Sequence, residues 1–393
     1  MIRQNRNLLI IALIAVVNAL GYGIIIPILY SYSVRFGLSD FQNGLLFSTF
    51  SVCQFLSTPI IGRLSDKYGR KPLLIVSISG TAVSFFMMAF APSAIFLFLA
   101  RALDGITAGN IPVASAVISD TTTQEQRAKG FGIIGASFGF GFIFGPAVSA
   151  LTVTRSVSLP FIIAGIISLI AVVITFIFLP ETNKHLGEVK HSPLFNFKIL
   201  YHAFFDKNVG PTMLITLFNA ISFSLLIFAY QPFSLKILHL SANQISLLFT
   251  LFGVVGFVTQ IFLVHRLVKL VGLKKLFTAS TLLIAVVFFV FFFIRSAWPF
   301  VAASVFLGLS NSVIQTLIPT ILSQETDAKS QGSIMGLNAS YMSIGQIVGP
   351  IVGGIIAAFG LSYPFLTAGA FSLVAYYLSF FVLKRGVKKE SAF

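Results

Sequence analysis

Leu159-Pro-Phe-Ile-Ile-Ala-Gly-Ile-Ile-Ser-Leu-Ile-Ala-Val-Val-Ile-Thr-Phe-Ile-Phe-Leu179 carries no charged side chain and no amide. As a helix with about 1.5 Å of rise per residue it would be ~31 Å long, the thickness of a bilayer's hydrocarbon. In water such a helix has no face to offer the solvent. In lipid its backbone groups bond one another and every side chain is compatible with its surroundings. The stretch reads as a membrane span.

Eleven comparable stretches fall at about 8–30, 41–61, 73–91, 94–118, 131–152, 209–233, 245–264, 276–294, 298–322, 333–358 and 363–383. Composition agrees with them: of 393 residues 56% are hydrophobic, 14% aromatic and 9% charged, with a mean hydropathy of +0.96. A soluble chain takes about a quarter of its residues from Asp, Glu, Lys and Arg. Soluble enzymes and secreted mini-proteins are excluded on that ground. The opening Met1 to Tyr30 has a basic start and then an apolar run longer than a signal peptide's, and is expected to be the first span. The single cysteine, Cys53, lies in an apolar run, so neither an internal disulfide nor a multi-cysteine metal site is expected, and no cofactor is implied.

The net charge of +15 could suggest a nucleic-acid partner. Its distribution points elsewhere. The termini and the breaks after stretches 2, 4, 6, 8 and 10 hold 21 Lys and Arg, while the alternate breaks hold four: Arg35, Arg155, Lys236 and Arg295. Such asymmetry orients a polytopic protein with its basic side inward, so both termini are expected in the cytoplasm of a cell membrane, with no nucleic acid bound.

The chain also repeats itself. At an offset of 204 residues Gly132, Gly141, Gly145, Pro146, Pro160, Phe161, Ala164 and Gly165 fall on Gly336, Gly345, Gly349, Pro350, Pro364, Phe365, Ala368 and Gly369. The expected fold is an all-α membrane protein of twelve transmembrane helices in two six-helix bundles related by a pseudo-twofold axis. Residues 1–179 and 209–393 would be the bundles and 180–208 a cytoplasmic linker. Parallel repeats of this kind enclose a cavity near the midplane.

After the second stretch the sequence runs Gly62-Arg-Leu-Ser-Asp66-Lys-Tyr-Gly69-Arg70-Lys71-Pro72. It resembles, at every position, the signature G-x-L-[SA]-D-[RK]-x-G-R-[RK] of the major facilitator superfamily. The resemblance implies a cytoplasmic gate in which Asp66 latches onto the start of span 11 and Arg70 pairs with an acid at the end of span 4, here Asp120. In a second register, an offset of 203 that puts Arg63-Leu64 on Arg266-Leu267 and Gly69 on Gly272, Asp66 is replaced by Lys269. In span 5 Ser137, Gly141, Gly145 and Ser149 recur every four residues with Pro146 after the third, and span 11 repeats the pattern at Gly345, Gly349, Gly353 and Ala357 with Pro350. Small residues at this spacing let helices pack closely, and they are expected to act as pivots. The pattern is similar to the G-x-x-x-G-P-x-x-G-G signature that the antiporter branch carries on span 5; here Ser149 and Ala150 replace its last two glycines on span 5, and the complete pattern lies on span 11.

Span 4 contains Arg101-Ala-Leu-Asp104-Gly105-Ile-Thr-Ala-Gly109-Asn110-Ile-Pro112. Asp104 lies about 15 Å into the hydrocarbon, the only carboxylate inside these stretches, and three residues from Arg101 on the same helix face. Charges at that depth face a wet cavity or another helix. They could form a static ion pair or a titrating proton site. The segment resembles the R-x-x-D-G-x-T-x-G-N run of tetracycline-efflux-like transporters, whose span-4 arginine takes part in proton coupling.

Asn18 stands in span 1 where the family commonly has an acid, leaving the coupling to Asp104. Asn18, Tyr22, Gln54, Asn110, Asn219, Asn311, Gln315 and Tyr341, together with 44 Phe, outline an apolar and aromatic cavity with scattered amides. The function expected is proton-coupled export of small amphipathic, drug-like compounds by alternating access, as in tetracycline-type and multidrug antiporters that confer antibiotic resistance. The partners would be that substrate, protons and the bilayer, around a functional monomer that is not an enzyme. An uncoupled or proton-coupled facilitator of a metabolite or lipid is the alternative, and a transporter-like receptor a third reading.

Overall fold

The computed structural model describes residues 2–122, 124–183, 197–326 and 330–384. Among them twelve helices are long and apolar enough to cross a membrane, and they are numbered as spans 1 to 12: Asn7–Ile25, Asp40–Tyr68, Arg70–Ala89, Ala94–Thr121, Gly132–Thr152, Leu159–Phe178, Gly210–Lys236, Ala242–Val271, Leu273–Phe293, Ala297–Glu325, Gln331–Ala357 and Tyr363–Leu383. The chain is an all-α, multi-pass membrane protein. Its chain divides into two compact units, Met1–Phe195 with Leu240–Thr250, and Asn196–His239 with Leu251–Phe393.

Several boundaries differ from expectation for local reasons. Span 1 stops at Ile25 rather than near residue 30, because Pro27 has no N–H to continue the ladder; a short helix, Leu29–Ser33, follows. Span 2 does not end in a loop. Its helix runs through the whole Gly62–Tyr68 signature, and one residue, Gly69, separates it from span 3. Gly69 has φ +106° and ψ 157°, a region open in practice only to glycine. Gly272 makes the same one-residue break between spans 8 and 9 with φ +86°. Helices of 29 residues are longer than the hydrocarbon is thick, so their ends carry charge. Asp104 is therefore not the only carboxylate in the spanning helices. Asp40, Asp66, Asp120 and Glu325 lie at or near helix ends, and Asp104 alone lies near the middle.

Within the first unit span 5 packs on span 1, span 6 on span 3 and span 1, and span 4 on spans 2 and 3. Within the second the equivalent pairs recur, span 11 on span 7, span 12 on spans 9 and 7, and span 10 on span 9. The first unit's core is aliphatic, with Ile11, Ile14, Leu74, Ile78, Val113 and Val117 all nearly inaccessible. The second is built on rings. Phe233, Phe291, Phe300 and Phe365 meet with centroids 4.9 to 5.5 Å apart, and Tyr230 shares a hydrogen bond with Ser304 at 2.8 Å. Span 6 leaves Ile166, Ile170, Val173, Phe176 and Ile177 about half exposed or more, the stripe an apolar helix gives to lipid.

The four-residue glycine pattern works inside each unit. A Cβ on Gly141 would run into Ala19, and one on Gly145 would stand 2.8 Å from the backbone of Gly23, so span 5 and span 1 touch backbone to backbone. On span 11 Gly345 meets Ala220 and Gly349 meets Ser224 of span 7 in the same way. Pro146 and Pro350 each lie one residue after such a contact.

Candidate functional site

Span 4 is two helices, Ala94–Thr107 and Asn110–Thr121, interrupted at Ala108 and Gly109. Pro112 explains the interruption: without an N–H it leaves the Ala108 carbonyl unbonded. Arg101 and Asp104 sit in the turns just before the break. The Arg101 guanidinium donates to Asp104 Oδ2 at 3.2 Å, and the two side chains are 3% and 10% exposed. A buried pair of this kind costs desolvation that mutual attraction offsets only with further partners. One partner is the Phe50 ring of span 2, whose centroid is 4.3 Å from the guanidinium carbon. Thr81 and Ser84 of span 3 lie beside the carboxylate. Gly105 permits this approach. A Cβ there would be 2.5 Å from the Phe50 carbonyl oxygen, and Ser57 donates to the Gly105 carbonyl at 3.0 Å.

The amide of Asn110, at the start of the second half of span 4, donates to Asn18 Oδ1 of span 1 at 3.3 Å. Tyr22 places its ring 6.4 Å from Phe50 and 5.9 Å from Phe142. Asn18, Tyr22, Asn110, Arg101 and Asp104 thus share the interior of the first unit with Phe50, and Gln54 stands partly buried on span 2 near Gly105. In the second unit Asn219 and Asn311 are buried, Gln315 is exposed, and the Tyr341 hydroxyl donates to the carbonyl of Leu200 at 2.8 Å. Leu200 belongs to a short helix, Phe197–Phe205, so Tyr341 spends its hydroxyl on holding that helix.

At the junction of spans 2 and 3 the Arg70 guanidinium reaches Asp66 at 2.6 Å, Asp120 at 3.1 Å and the Ser65 hydroxyl at 2.6 Å. Arg70 is 11% exposed, Asp66 47% and Asp120 27%. Gly62 lies on the same helix one turn earlier, its carbonyl accepting from Ser65 at 2.7 Å.

Three features of these clusters have no mark in local sequence: Phe50 under Arg101, Glu181 at the start of span 3, and a polar group in the second unit. There Thr212 donates to Glu325 at 2.8 Å and Thr216 to Asn338 at 2.9 Å. A scan of the sequence for amides in spans could have found Asn338, whereas Phe50 is one of 44 phenylalanines.

Twelve spans whose helix pairings recur in the two halves of the chain, with a buried ion pair beside a break in the fourth, define a duplicated polytopic membrane protein of the transporter kind. The model of the Major Facilitator Superfamily matches residues 11–208 and 212–393, and the chain belongs to that family. It is 28% identical over 370 residues to the tetracycline resistance protein, class H, of Pasteurella multocida, covering 92% of this chain and 91% of that one. It is 27% identical over 379 residues to multidrug resistance protein 2 of Bacillus subtilis (strain 168), covering 95% and 94%. Among solved structures it resembles the nucleoside transporter NupG with a TM-score of 0.78 at 14% identity, over 97% of this chain and all of that one. The human organic anion transporter MFSD10 gives 0.71 at 19% identity, over 96% and 99%. At those identities the likeness is one of fold.

Proposed function

We propose that the protein is a secondary active transporter that exports small amphipathic compounds, drug-like and tetracycline-like, by proton-coupled alternating access. The observation that carries the reading is the buried Arg101–Asp104 pair, the one acid–base couple near the middle of a span among the described residues. Relatives whose names specify tetracycline and multidrug resistance support the cargo.

In this reading Asp104 is the proton carrier. Ionised, it holds Arg101; protonated, it leaves Arg101 to the face of Phe50 and frees the guanidinium's remaining donors, which changes the charge lining span 4 between the loaded and empty carrier. Asn18, Tyr22, Gln54, Asn110, Asn219, Asn311, Gln315 and Tyr341 supply the substrate cavity. Gly62, Asp66, Gly69, Arg70 and Asp120 form a cytoplasmic gate, with spans 5 and 11 as pivots about Gly141, Gly145, Pro146, Gly345, Gly349 and Pro350. Residues 1–179 and 209–393 are the moving bundles, 180–208 links them, both termini are cytoplasmic, and a monomer suffices.

Inverted membrane vesicles energised with a proton gradient test it. Tetracycline or ethidium should accumulate, and adding either should acidify the outer medium by releasing protons. Asp104→Asn should abolish both responses while leaving the protein in the membrane. Gradient-driven uptake that survives this substitution would remove Asp104 as the coupling site.

A further inference from the structure

The segment just past span 6 closes back on the junction of spans 2 and 3. Glu181 Oε1 accepts from the backbone N–H of Arg70 at 2.9 Å, and its Oε2 from that of Lys71 at 3.1 Å. The same Oε1 accepts from the N–H groups of Thr182 and Asn183 at 2.8 Å each, which fixes the carboxylate from its own side. Asn183 adds a bond from its amide to the Asp66 carbonyl at 2.9 Å. Span 3 begins at Arg70, so its first two N–H groups, which no helical carbonyl can serve, are taken by a carboxylate lying where the helix dipole favours negative charge. Gly69 is shaped to this contact: a Cβ there would run into the Glu181 carboxylate.

The internal repeat serves as a control. The second unit has the same one-residue break at Gly272, but among the described residues a Cβ on Gly272 would meet nothing within 4 Å. In the register that puts Gly69 on Gly272, an offset of 203, the residue opposite Glu181 is Lys384, of opposite charge. The half that lacks an acid there has also lost the Asp66 and Arg70 equivalents, which are Lys269 and Leu273. Among the described residues the carboxylate clamp and the gate charges occur together.

We infer that Glu181 is a positioning residue for the gate: by capping span 3 it fixes where Arg70 emerges, and so sets the reach of its guanidinium to Asp66, Asp120 and Ser65. The linker that begins after span 6 is thereby tied to the gate of its own unit. The inference rests on reading the Asp66–Arg70–Asp120 cluster as a gate, and its test needs no substrate.

Ser65 is fully buried under Arg70 and accepts its hydrogen bond. In a Cys53→Ser, Ser65→Cys background of the full-length protein in vesicles, the maleimide labelling rate reports how often Arg70 departs. Glu181→Gln should raise the rate about three- to fivefold, the upper part of the range over which an anion at a helix N-terminus acts. Glu181→Asp, which keeps the charge, should stay within about twofold of the parent. In an Arg70→Ala background, where the rate is already high, Glu181→Gln should add nothing. An unchanged rate in Glu181→Gln, or an equal rise with and without Arg70, would overturn the inference. If Glu181→Gln is not inserted, Glu181→Ala and Glu181→Ala/Arg70→Ala take its place: a rise only where Arg70 is present supports the inference, and no rise, or one that persists without Arg70, overturns it. Ethidium transport in the same vesicles separates the two claims: the labelling pattern without any transport overturns the proposed function and leaves the clamp standing.

Discussion

Arg101 rests its guanidinium carbon 4.3 Å from the centre of the Phe50 ring, while its NH1 donates to Asp104 on the other side. The cation is held between an acid of its own helix and an aromatic face of span 2, and each holds more of the charge if the other is lost. This arrangement makes a proton-dependent exchange of partners physically feasible at a site that is 3% exposed.

Removing the ring should weaken the buried cation's support. Phe50→Leu, similar in volume, is expected to cost about 1–2 kcal/mol, the range for a desolvated cation–π contact. Phe50→Tyr should cost much less. Thermal unfolding in detergent reads the difference, and equal midpoints for all three proteins would dismiss the contact.

The pair should behave as a unit. Arg101→Met or Asp104→Asn alone leaves one buried partner uncompensated and should destabilise the protein by about 3–5 kcal/mol, less where Phe50 takes up the arginine. The double variant should be more stable than either single one, as expected of neighbours that interact. A double variant whose loss is the sum of the two would mean that the charges do not compensate each other.

Glycines of span 5 should separate sharply by position. Gly141→Ala drives a methyl into Ala19 of span 1 and should cost about 1–3 kcal/mol through overpacking. Gly132→Ala on the same helix meets nothing within 4 Å among the described residues and should be neutral or stabilising by about 0.5–1 kcal/mol. Comparable melting shifts for both would contradict the backbone contact of spans 1 and 5.

The two one-residue breaks should differ as well. Gly69→Ala and Gly272→Ala both force a side chain into a glycine-only backbone region, at about 1–3 kcal/mol each. Only Gly69→Ala also displaces the Glu181 carboxylate. Amide hydrogen exchange at Arg70 and Lys71 should accelerate in Gly69→Ala, whereas Gly272→Ala should leave those amides as they are.

The membrane class, the twelve spans, the internal repeat and the candidate acid–base pair were all legible along the chain, because each obeys a local rule. Hydrocarbon about 30 Å thick demands runs of about 20 apolar residues, and a charge within such a run is conspicuous by its cost. Asp66, Arg70 and Gly69 were equally plain, being consecutive members of one short motif. Helix ends are less legible. An apolar count stops where hydrocarbon stops, whereas the hydrogen-bond ladder of span 2 continues to Tyr68 and that of span 10 to Glu325.

Tertiary structure alone decided what those residues touch. Glu181 lies 111 residues from Arg70 along the chain, and 51 separate Phe50 from Arg101, so no spacing rule connects either pair. Burial removes water as the alternative partner, and the packing of spans 2, 3, 4 and 6 then selects which of many aromatic rings and acids takes its place. Lipid set the elements from the sequence; the close approach of helices at Gly105 and Gly69 set the partners.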